Sequence, residues 1–274
     1  MSSTQGDALL AAVESGVRVV DLGRQLRVGM PQSPNHPAFS HALPRRHGDM
    51  RRADGGSAAN DLVSMGTHVG THIDALAHVS HDGKMHGGID ADDAGRGGKY
   101  DLLGVHTIEP MVRRAVLLDI PAFLGTSRCE GGYEITPDDL EGAAKAHDVS
   151  VRPGDVVLVR SGWGQLFDEG AAFMGHDTGV PGVGEDGAEW LAAQGAHTVG
   201  ADTIAFERLA RGAGHSLLPA HRVLLVEHGI YIVETLDLEG LAAVGRHQFT
   251  LVLSPLNIYG ATGSPVRPLA VVPA

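Results

Sequence analysis

The sequence is poor in cysteine and in aromatic residues. Cys129 is the only cysteine among 274 residues, which excludes an intrachain disulfide and a cysteine-based metal cage. Aromatic residues make up 4%, so the core must be built mainly from Val, Leu, Ile and Ala. Hydrophobic residues nevertheless reach 43% and charged residues 20%, a composition typical of a folded protein with a sizeable core.

Clusters of basic residues and long apolar runs are also missing. The formal net charge is −12, and the basic doublets are scattered at residues 45–46, 51–52 and 113–114. Because nucleic acids and anionic membranes attract clustered Lys and Arg, we expect neither as a partner. No apolar run approaches the ~20 residues of a membrane-spanning helix. We therefore expect a small-molecule substrate.

The first residues, 1–7, are polar and lack the basic and apolar segments of a secretory signal peptide. We therefore expect a cytoplasmic protein.

Short apolar runs alternate with helical patterns along the chain. Strands are predicted over residues 17–22, 116–120, 156–160, 198–200, 230–233 and 249–255. Helices are predicted over residues 7–16, 137–146, 187–194 and 216–228. The proline-rich segment 31–44 and the polar segment 45–60 are predicted loops. This alternation predicts an α/β fold, and since no repeat or linker interrupts it, we predict one domain over residues 1–274.

Histidines are concentrated in one short segment. Five of the 16 histidines fall within nineteen residues, where the average density would place about one: His68, His72, His78, His81 and His86. Asp74 follows His72 by two residues. Imidazole and carboxylate groups together suit Zn²⁺, Mn²⁺ or Fe²⁺.

The spacing of these residues can be compared with the geometry of a strand. On a strand, His72 and Asp74 point to the same face about 6.6 Å apart, close enough to share an ion. His68 would lie about 13 Å from His72 on a straight strand, which is too far. We therefore predict a bent loop before the His72–Asp74 pair, with Gly66 and Gly70 supplying the conformational freedom.

His78 follows Asp74 by four residues. A helical turn after Asp74 would place His78 beside the ion without making it a ligand. The alternative is a histidine-rich surface loop that binds metal adventitiously. Against that alternative, small or apolar residues alternate through the segment, as expected for packing on the opposite face: Thr71, Ile73, Ala75 and Ala77.

The segment His68–His78 reads His-x-Gly-Thr-His-x-Asp-x-x-x-His. It resembles the signature of the cyclase family of metal-dependent hydrolases, which includes bacterial kynurenine formamidases and isatin hydrolases. The resemblance extends over most of the chain, through residues 21–22, 29–31, 114–119, 153–163, 200–203 and 263–268. It implies a swivelling β/β/α fold and a homodimer or higher homo-oligomer. Leu76 stands where the family often has proline, which implies an altered pocket shape.

The resemblance also implies roles for individual residues. It assigns a divalent ion, Mn or Zn, to His68, His72 and Asp74, and it makes His78 the catalytic acid/base. The family's second ligand block is a histidine roughly a dozen residues before a glutamate, which matches the pair His221 and Glu234. A tight helix–strand unit would also bring this pair inward. Whether one or two ions bind stays open.

Three functions compete at this point. The first is hydrolysis of an amide or lactam, the second is lactone hydrolysis or ring closure in secondary metabolism, and the third is non-catalytic metal binding by an oligomer. A serine nucleophile is disfavoured because Ser161 and Ser216 lack a Gly-x-Ser-x-Gly elbow. Cys129 lacks a neighbouring basic pair.

In the hydrolytic reading, a divalent ion activates water and polarises a carbonyl. His78 accepts a proton from the water and returns it to the leaving group, so activity should fall on the acid side of neutrality. Leu76 and Trp163 are predicted to line the substrate pocket. Because small residues dominate nearby, we expect a compact aliphatic pocket in which formylkynurenine is a poor substrate.

Overall fold

Nine strands form one mixed sheet in the computed structural model, which describes residues 10–274. The thirteen strands of these residues are β1 Val17–Asp21, β2 Ser40–Arg45, β3 Asn60–Ser64, β4 His72–Asp74, β5 Met111–Asp119, β6 Glu134–Ile135, β7 Val156–Arg160, β8 Gly182–Val183, β9 Thr198–Ala201, β10 Tyr231–Glu234, β11 Gln248–Leu253, β12 Gly263–Pro265 and β13 Leu269–Pro273. The order in the large sheet is β1-β13-β11-β5-β7-β9-β10-β4-β12.

Seven helices connect or flank these strands: α1 Ala91–Gly95, α2 Ile120–Leu124, α3 Pro137–Ala146, α4 Ala171–Met174, α5 Glu185–Ala193, α6 Pro219–His221 and α7 Glu239–Val244. Residues 10–14 are also helical, whereas residues 7–9 of the predicted first helix lie outside the described residues. Helix α6 continues directly as a π-helix, Arg222–Glu227. No helix of residues 10–274 is long and apolar enough to cross a membrane.

The middle of the sheet is parallel and is covered on both faces. Strands β5, β7, β9 and β10 run parallel, and antiparallel strands extend the sheet on either side. Alternate residues of β7 enter different cores: Val157 and Val159 pack with α3 and α5, whereas Val156 and Leu158 pack with β11 and α7. Burial on both faces explains why each of these strands contains a run of apolar residues and not a strict alternation of apolar and polar ones.

Most predicted elements in the described residues are confirmed to within a few positions. The strand over residues 156–160 and the helix over residues 137–146 are observed with those bounds. Helix α3 begins where Thr136 and Asp139 cap each other's backbone N–H groups in a capping box. The expectation of an α/β fold is therefore correct, and a single domain over residues 1–274 stays a prediction.

Two predictions about local structure are wrong. The loop predicted over residues 31–44 contains most of β2, which pairs with β3 in a separate two-stranded sheet, whereas the loop predicted over residues 45–60 is confirmed apart from its first and last residues. All residues of both strands are exposed, so no apolar alternation marked them in the sequence. The helix predicted over residues 216–228 begins only at Pro219, because proline has no N–H to donate and favours the first helical position.

Candidate metal centre

The sheet itself brings three candidate ligands to one face. Strand β4 lies between β10 and β12, and His72 is directly opposite Glu234 on β10. His72 and Asp74 point to the same face of β4 because successive side chains alternate. Ile73 points the other way and is fully buried in the core. Burial of Ile73 therefore fixes which face carries His72, Asp74 and Glu234.

The bend expected before His72 is present, and it brings His68 back to the strand. Gly70 has a φ of +69°, and a side-chain Cβ there would lie 2.5 Å from Leu26 Cδ2. The turn places His68 Nδ1 2.6 Å from Asp74 Oδ1. A Cβ on Gly263 would lie 2.5 Å from His68 Cε1, so β12 can approach the imidazole this closely only with glycine there.

His221 joins the cluster from the end of α6. Its Nε2 lies 3.2 Å from Glu234 Oε1 and 3.6 Å from Asp74 Oδ2. The π-helix that follows is buried through Val223, Leu224 and Leu225, so the helix–strand unit is anchored in the core. The structure thus brings together all five residues for which the sequence predicted a metal-binding role.

In His68, His72 and His221, the outer ring nitrogen, which is the one directed away from Asp74 and Glu234, contacts a neighbouring group of the protein. His72 Nδ1–H donates to the carbonyl oxygen of Gly70 at 2.8 Å, and His221 Nδ1–H donates to Glu207 Oε1 at 2.6 Å. His68 Nε2 lies 2.9 Å from Thr262 Oγ1. The inner nitrogens are therefore directed towards the carboxylates, the arrangement typical of imidazoles that bind a metal.

Apart from the 2.6 Å contact between His68 and Asp74, which is a hydrogen-bond distance, the distances between the inner atoms fit a divalent ion. His72 Nε2 lies 3.5 Å from Asp74 Oδ1 and 3.4 Å from Glu234 Oε2. Two ligands that each lie about 2.1 Å from a tetrahedral ion are about 3.4 Å apart. Asp74 Oδ2 and Glu234 Oε1 are buried and accept no well-aligned hydrogen bond from any residue between 10 and 274. Since buried polar atoms are nearly always satisfied, these oxygens indicate a place for a cation.

Burial and mutual contacts perturb the pKa values within the cluster. Burial lowers the pKa of His72 to about 4, so its imidazole is neutral. Burial opposes charge on His221 as well, but the neighbouring carboxylates of Asp74, Glu207 and Glu234 raise its pKa well above the usual value. Burial raises the pKa of Glu234 to about 7, and the neighbouring charge of Asp74 adds to the effect.

His78 lies beside the cluster on a single turn that follows β4. Its backbone N–H donates to the carbonyl oxygen of Ala75 at 2.9 Å, so a turn follows Asp74 as expected, although its hydrogen bond spans three residues and not the four of an α-helical turn. The ring stacks on His68 with a centroid distance of 3.8 Å and is only partly buried. Desolvation lowers the pKa of His78 to about 3, despite the opposing charge of Asp74. His78 is therefore a neutral imidazole that reaches both the cluster and the surface.

Three residues near the cluster were missed at the sequence level: His36, Glu207 and Thr262. The half-buried ring of His36 stacks on His68 at a centroid distance of 5.3 Å. The loop that carries His36 is stabilised by Gln32, whose side-chain amide forms hydrogen bonds with the backbone of residues 36 and 39. All three lie far from the histidine motif along the chain, and only the tertiary fold brings them close to it.

The two predicted pocket residues lie in cores. Leu76 packs in the core between the sheet and α3, and it is 7% exposed. Trp163 is buried, and its Nε1–H donates to the carbonyl oxygen of Phe173 at 2.8 Å. One edge of Trp163 lines a cavity of about 530 Å³, together with Cys129. Burial raises the pKa of Cys129 to about 12, which opposes a nucleophilic role.

The fold and the cluster of histidine and carboxylate side chains define the class of the protein as a metal-dependent hydrolase. The chain belongs to the cyclase family: the family described as "Putative cyclase" matches residues 20–208. Isatin hydrolase from Roseibium aggregatum is 29% identical over 224 residues, which cover 81% of this chain and 78% of that protein. Kynurenine formamidase from Bacillus cytotoxicus is 24% identical over 251 residues, covering 90% and 94%.

Solved structures agree with this assignment. A crystal structure of a novel cyclase has a TM-score of 0.83 and 30% identity, and the match covers 95% of this chain and 89% of that one. An isatin hydrolase bound to the product analogue thioisatinate has a TM-score of 0.73 at 24% identity, with full coverage of both chains. The second likeness concerns the fold alone. The cyclase-family fold expected from the sequence is therefore confirmed.

Proposed function

We propose that the protein hydrolyses the C–N bond of a cyclic or N-acyl amide with a divalent ion, Mn or Zn. The ligands in this proposal are His68, His72, Asp74, His221 and Glu234. The observation that carries it is the convergence of imidazole nitrogens on two buried carboxylates, each of which has one oxygen that accepts no well-aligned hydrogen bond within residues 10–274. The relatives named isatin hydrolase and kynurenine formamidase support this substrate class, because isatin is a cyclic amide and a formamide is an N-acyl amide.

The residues around the cluster would divide the chemistry as follows. A divalent ion bound there supplies Lewis-acid activation of water and of the scissile carbonyl. His78, neutral and partly exposed, accepts the proton of the attacking water and delivers it to the leaving nitrogen. The stack with His68 holds the ring of His78 in place during both transfers. The buried face of β4 keeps bulk water from the ligands.

The remaining sequence-based expectations belong to the same proposal. Mn or Zn is favoured because the ligand set mixes imidazole with carboxylate. A homodimer or higher homo-oligomer and a cytoplasmic location are proposed from the family resemblance. Lactone hydrolysis would use the same arrangement, since the ion would polarise an ester carbonyl in the same way.

A competition assay tests the substrate class. Lactams, N-acyl amides, lactones and formylkynurenine would be offered at equal concentration to the metal-loaded protein. We expect turnover of a cyclic or N-acyl amide or of a lactone, with formylkynurenine a poor substrate. Faster turnover of formylkynurenine than of every lactam and lactone would contradict the compact pocket, and no turnover of any compound would contradict the proposed activity.

Metal affinity should fall as the pH falls below about 7. Glu234, with a pKa of about 7, and His221, with a raised pKa, then hold protons that the ion must displace. Each displaced proton weakens binding by about tenfold per pH unit. His72, whose pKa is lowered to about 4, stays neutral and adds nothing between pH 5 and pH 8. Zinc titrations against a competing chelator at several pH values measure this, and a constant affinity would contradict it.

His36 is proposed to contact the substrate, because its half-buried ring lies against both His68 and His78. The change His36→Ala should lower kcat/KM about tenfold, the effect of losing one hydrogen bond or ring contact, without changing metal content. His41→Ala, at an exposed histidine on β2, is the matched control. Equal kcat/KM in both variants and in the unaltered protein would exclude a substrate contact for His36.

A further inference from the structure

Glu207 is a buried carboxylate that belongs to no sequence motif and contacts His221 directly. Its Oε1 accepts hydrogen bonds from His221 Nδ1 at 2.6 Å and from the His221 backbone N–H at 3.0 Å. Its Oε2 accepts from the backbone N–H of Ala220 at 3.1 Å. Glu207 is only 1% exposed, so its carboxylate depends on these three hydrogen bonds and not on solvent.

No lysine or arginine compensates this carboxylate. Within residues 10–274, the only ion-pair partner of Glu207 is His221. A buried carboxylate is costly unless it is paired and hydrogen-bonded, so its contacts with His221 and the first turn of α6 must offset that cost. A carboxylate placed this way, with both oxygens directed at one histidine and its helix, indicates a specific task at that histidine.

The backbone around Glu207 is held in a constrained conformation. Phe206, immediately before it, has a φ of +56°, a conformation that bulky residues adopt only where the surrounding structure imposes it. A Cβ on Gly182 would lie 2.2 Å from the Glu207 carbonyl carbon, so β8 fixes the position of this backbone closely. The backbone that carries Glu207 is therefore held in place, and with it the position of the carboxylate next to His221.

We propose that Glu207 is a positioning residue that sets the tautomer and orientation of His221 as a ligand. By accepting the Nδ1–H, it leaves Nε2 free to face Asp74 and Glu234. It also makes the imidazole a stronger donor to a cation, as carboxylate partners of metal-binding histidines do. This inference rests on the proposed metal site, and it assigns Glu207 no contact with the substrate.

Zinc affinity of the Glu207→Gln variant tests the inference. The amide keeps the shape but has one accepting oxygen, so either Ala220 N–H or His221 loses its acceptor. Titration of zinc into metal-free protein against a chromophoric chelator should show affinity reduced about 10–100-fold. Asp139→Asn is the matched control: it alters a buried carboxylate that caps α3 and whose hydrogen bonds within residues 10–274 go to Tyr133 and Thr136, and it should bind zinc normally.

A spectroscopic reading separates positioning from general destabilisation. In zinc-loaded protein with ¹⁵N-labelled histidine, the unaltered chain should show a His221 Nδ1–H resonance far downfield, and Glu207→Gln should shift it upfield or remove it. If Glu207→Gln does not fold, Glu207→Asp replaces it, because the shorter side chain draws the carboxylate away from Nδ1 with the same expected loss.

Three results would overturn the inference. If the Glu207 variant binds zinc as tightly as the unaltered protein, this inference fails and the proposed metal site stands. The same holds if Asp139→Asn loses as much zinc affinity as the Glu207 variant. Failure of the unaltered protein to bind zinc would overturn the proposed metal site and this inference with it.

Discussion

Asp74→Asn should abolish stoichiometric metal binding and remove nearly all hydrolytic turnover. Within residues 10–274, Asp74 is the one carboxylate whose oxygens approach the inner nitrogens of three imidazoles, at 2.6 Å from His68, 3.5 Å from His72 and 3.6 Å from His221. The loss of metal affinity should exceed the roughly 10–100-fold typical of removing an outer partner, because a direct anionic ligand is lost. Elemental analysis after gel filtration and a hydrolysis assay measure the two effects.

The exchange of Asp74 for asparagine keeps the volume of the side chain, so the metal-free variant should fold. His72→Ala should also lose stoichiometric metal, since its Nε2 lies within 3.5 Å of both carboxylates. Asp139→Asn serves again as the buried carboxylate outside the cluster and should keep its metal. Full metal occupancy in both Asp74→Asn and His72→Ala would contradict the assignment of ligands.

His78→Ala should keep its metal and lose turnover by roughly 10²–10⁴-fold, the usual contribution of a general acid–base group. His78 is partly exposed and stacks on His68 from outside, whereas the five proposed ligands are buried. Its neutral ring can accept a proton near the reacting carbonyl. The measurement is metal content and kcat for the same preparation.

His147→Ala is the matched control for this variant. His147 stacks on His247 at a centroid distance of 3.8 Å, the same distance as between His78 and His68, but at another place in the fold. It should lose neither metal nor turnover. A nitrogen of His78 lies within 4.8 Å of ligand atoms of His68 and Asp74, so loss of metal in a folded His78→Ala would make His78 a ligand instead.

The sequence was informative where local chemistry determines the structure. The His72-x-Asp74 spacing places both side chains on one strand face, and the glycine before them permits the bend that brings His68 back. Val156–Arg160 was predicted correctly because a buried parallel strand is apolar throughout. The capping residues likewise marked the start of α3.

Other features depend on contacts that no local pattern encodes. Glu207 lies fourteen residues from His221 and becomes its partner only through the turn at Phe206. Thr262 reaches His68 across 194 positions of the chain. Strands β2 and β3 pair with each other while exposed on both faces, so their sequences carry no strand periodicity.

The central claim is that hydrolysis requires a bound divalent ion. The protein would be stripped with a chelator, passed through gel filtration, and assayed on a cyclic amide while Mn²⁺ or Zn²⁺ is added back in measured amounts. We expect the stripped protein to be inactive and turnover to rise in proportion to bound metal until the site is filled. A stripped protein that hydrolyses the amide as fast as the metal-loaded protein would contradict the account.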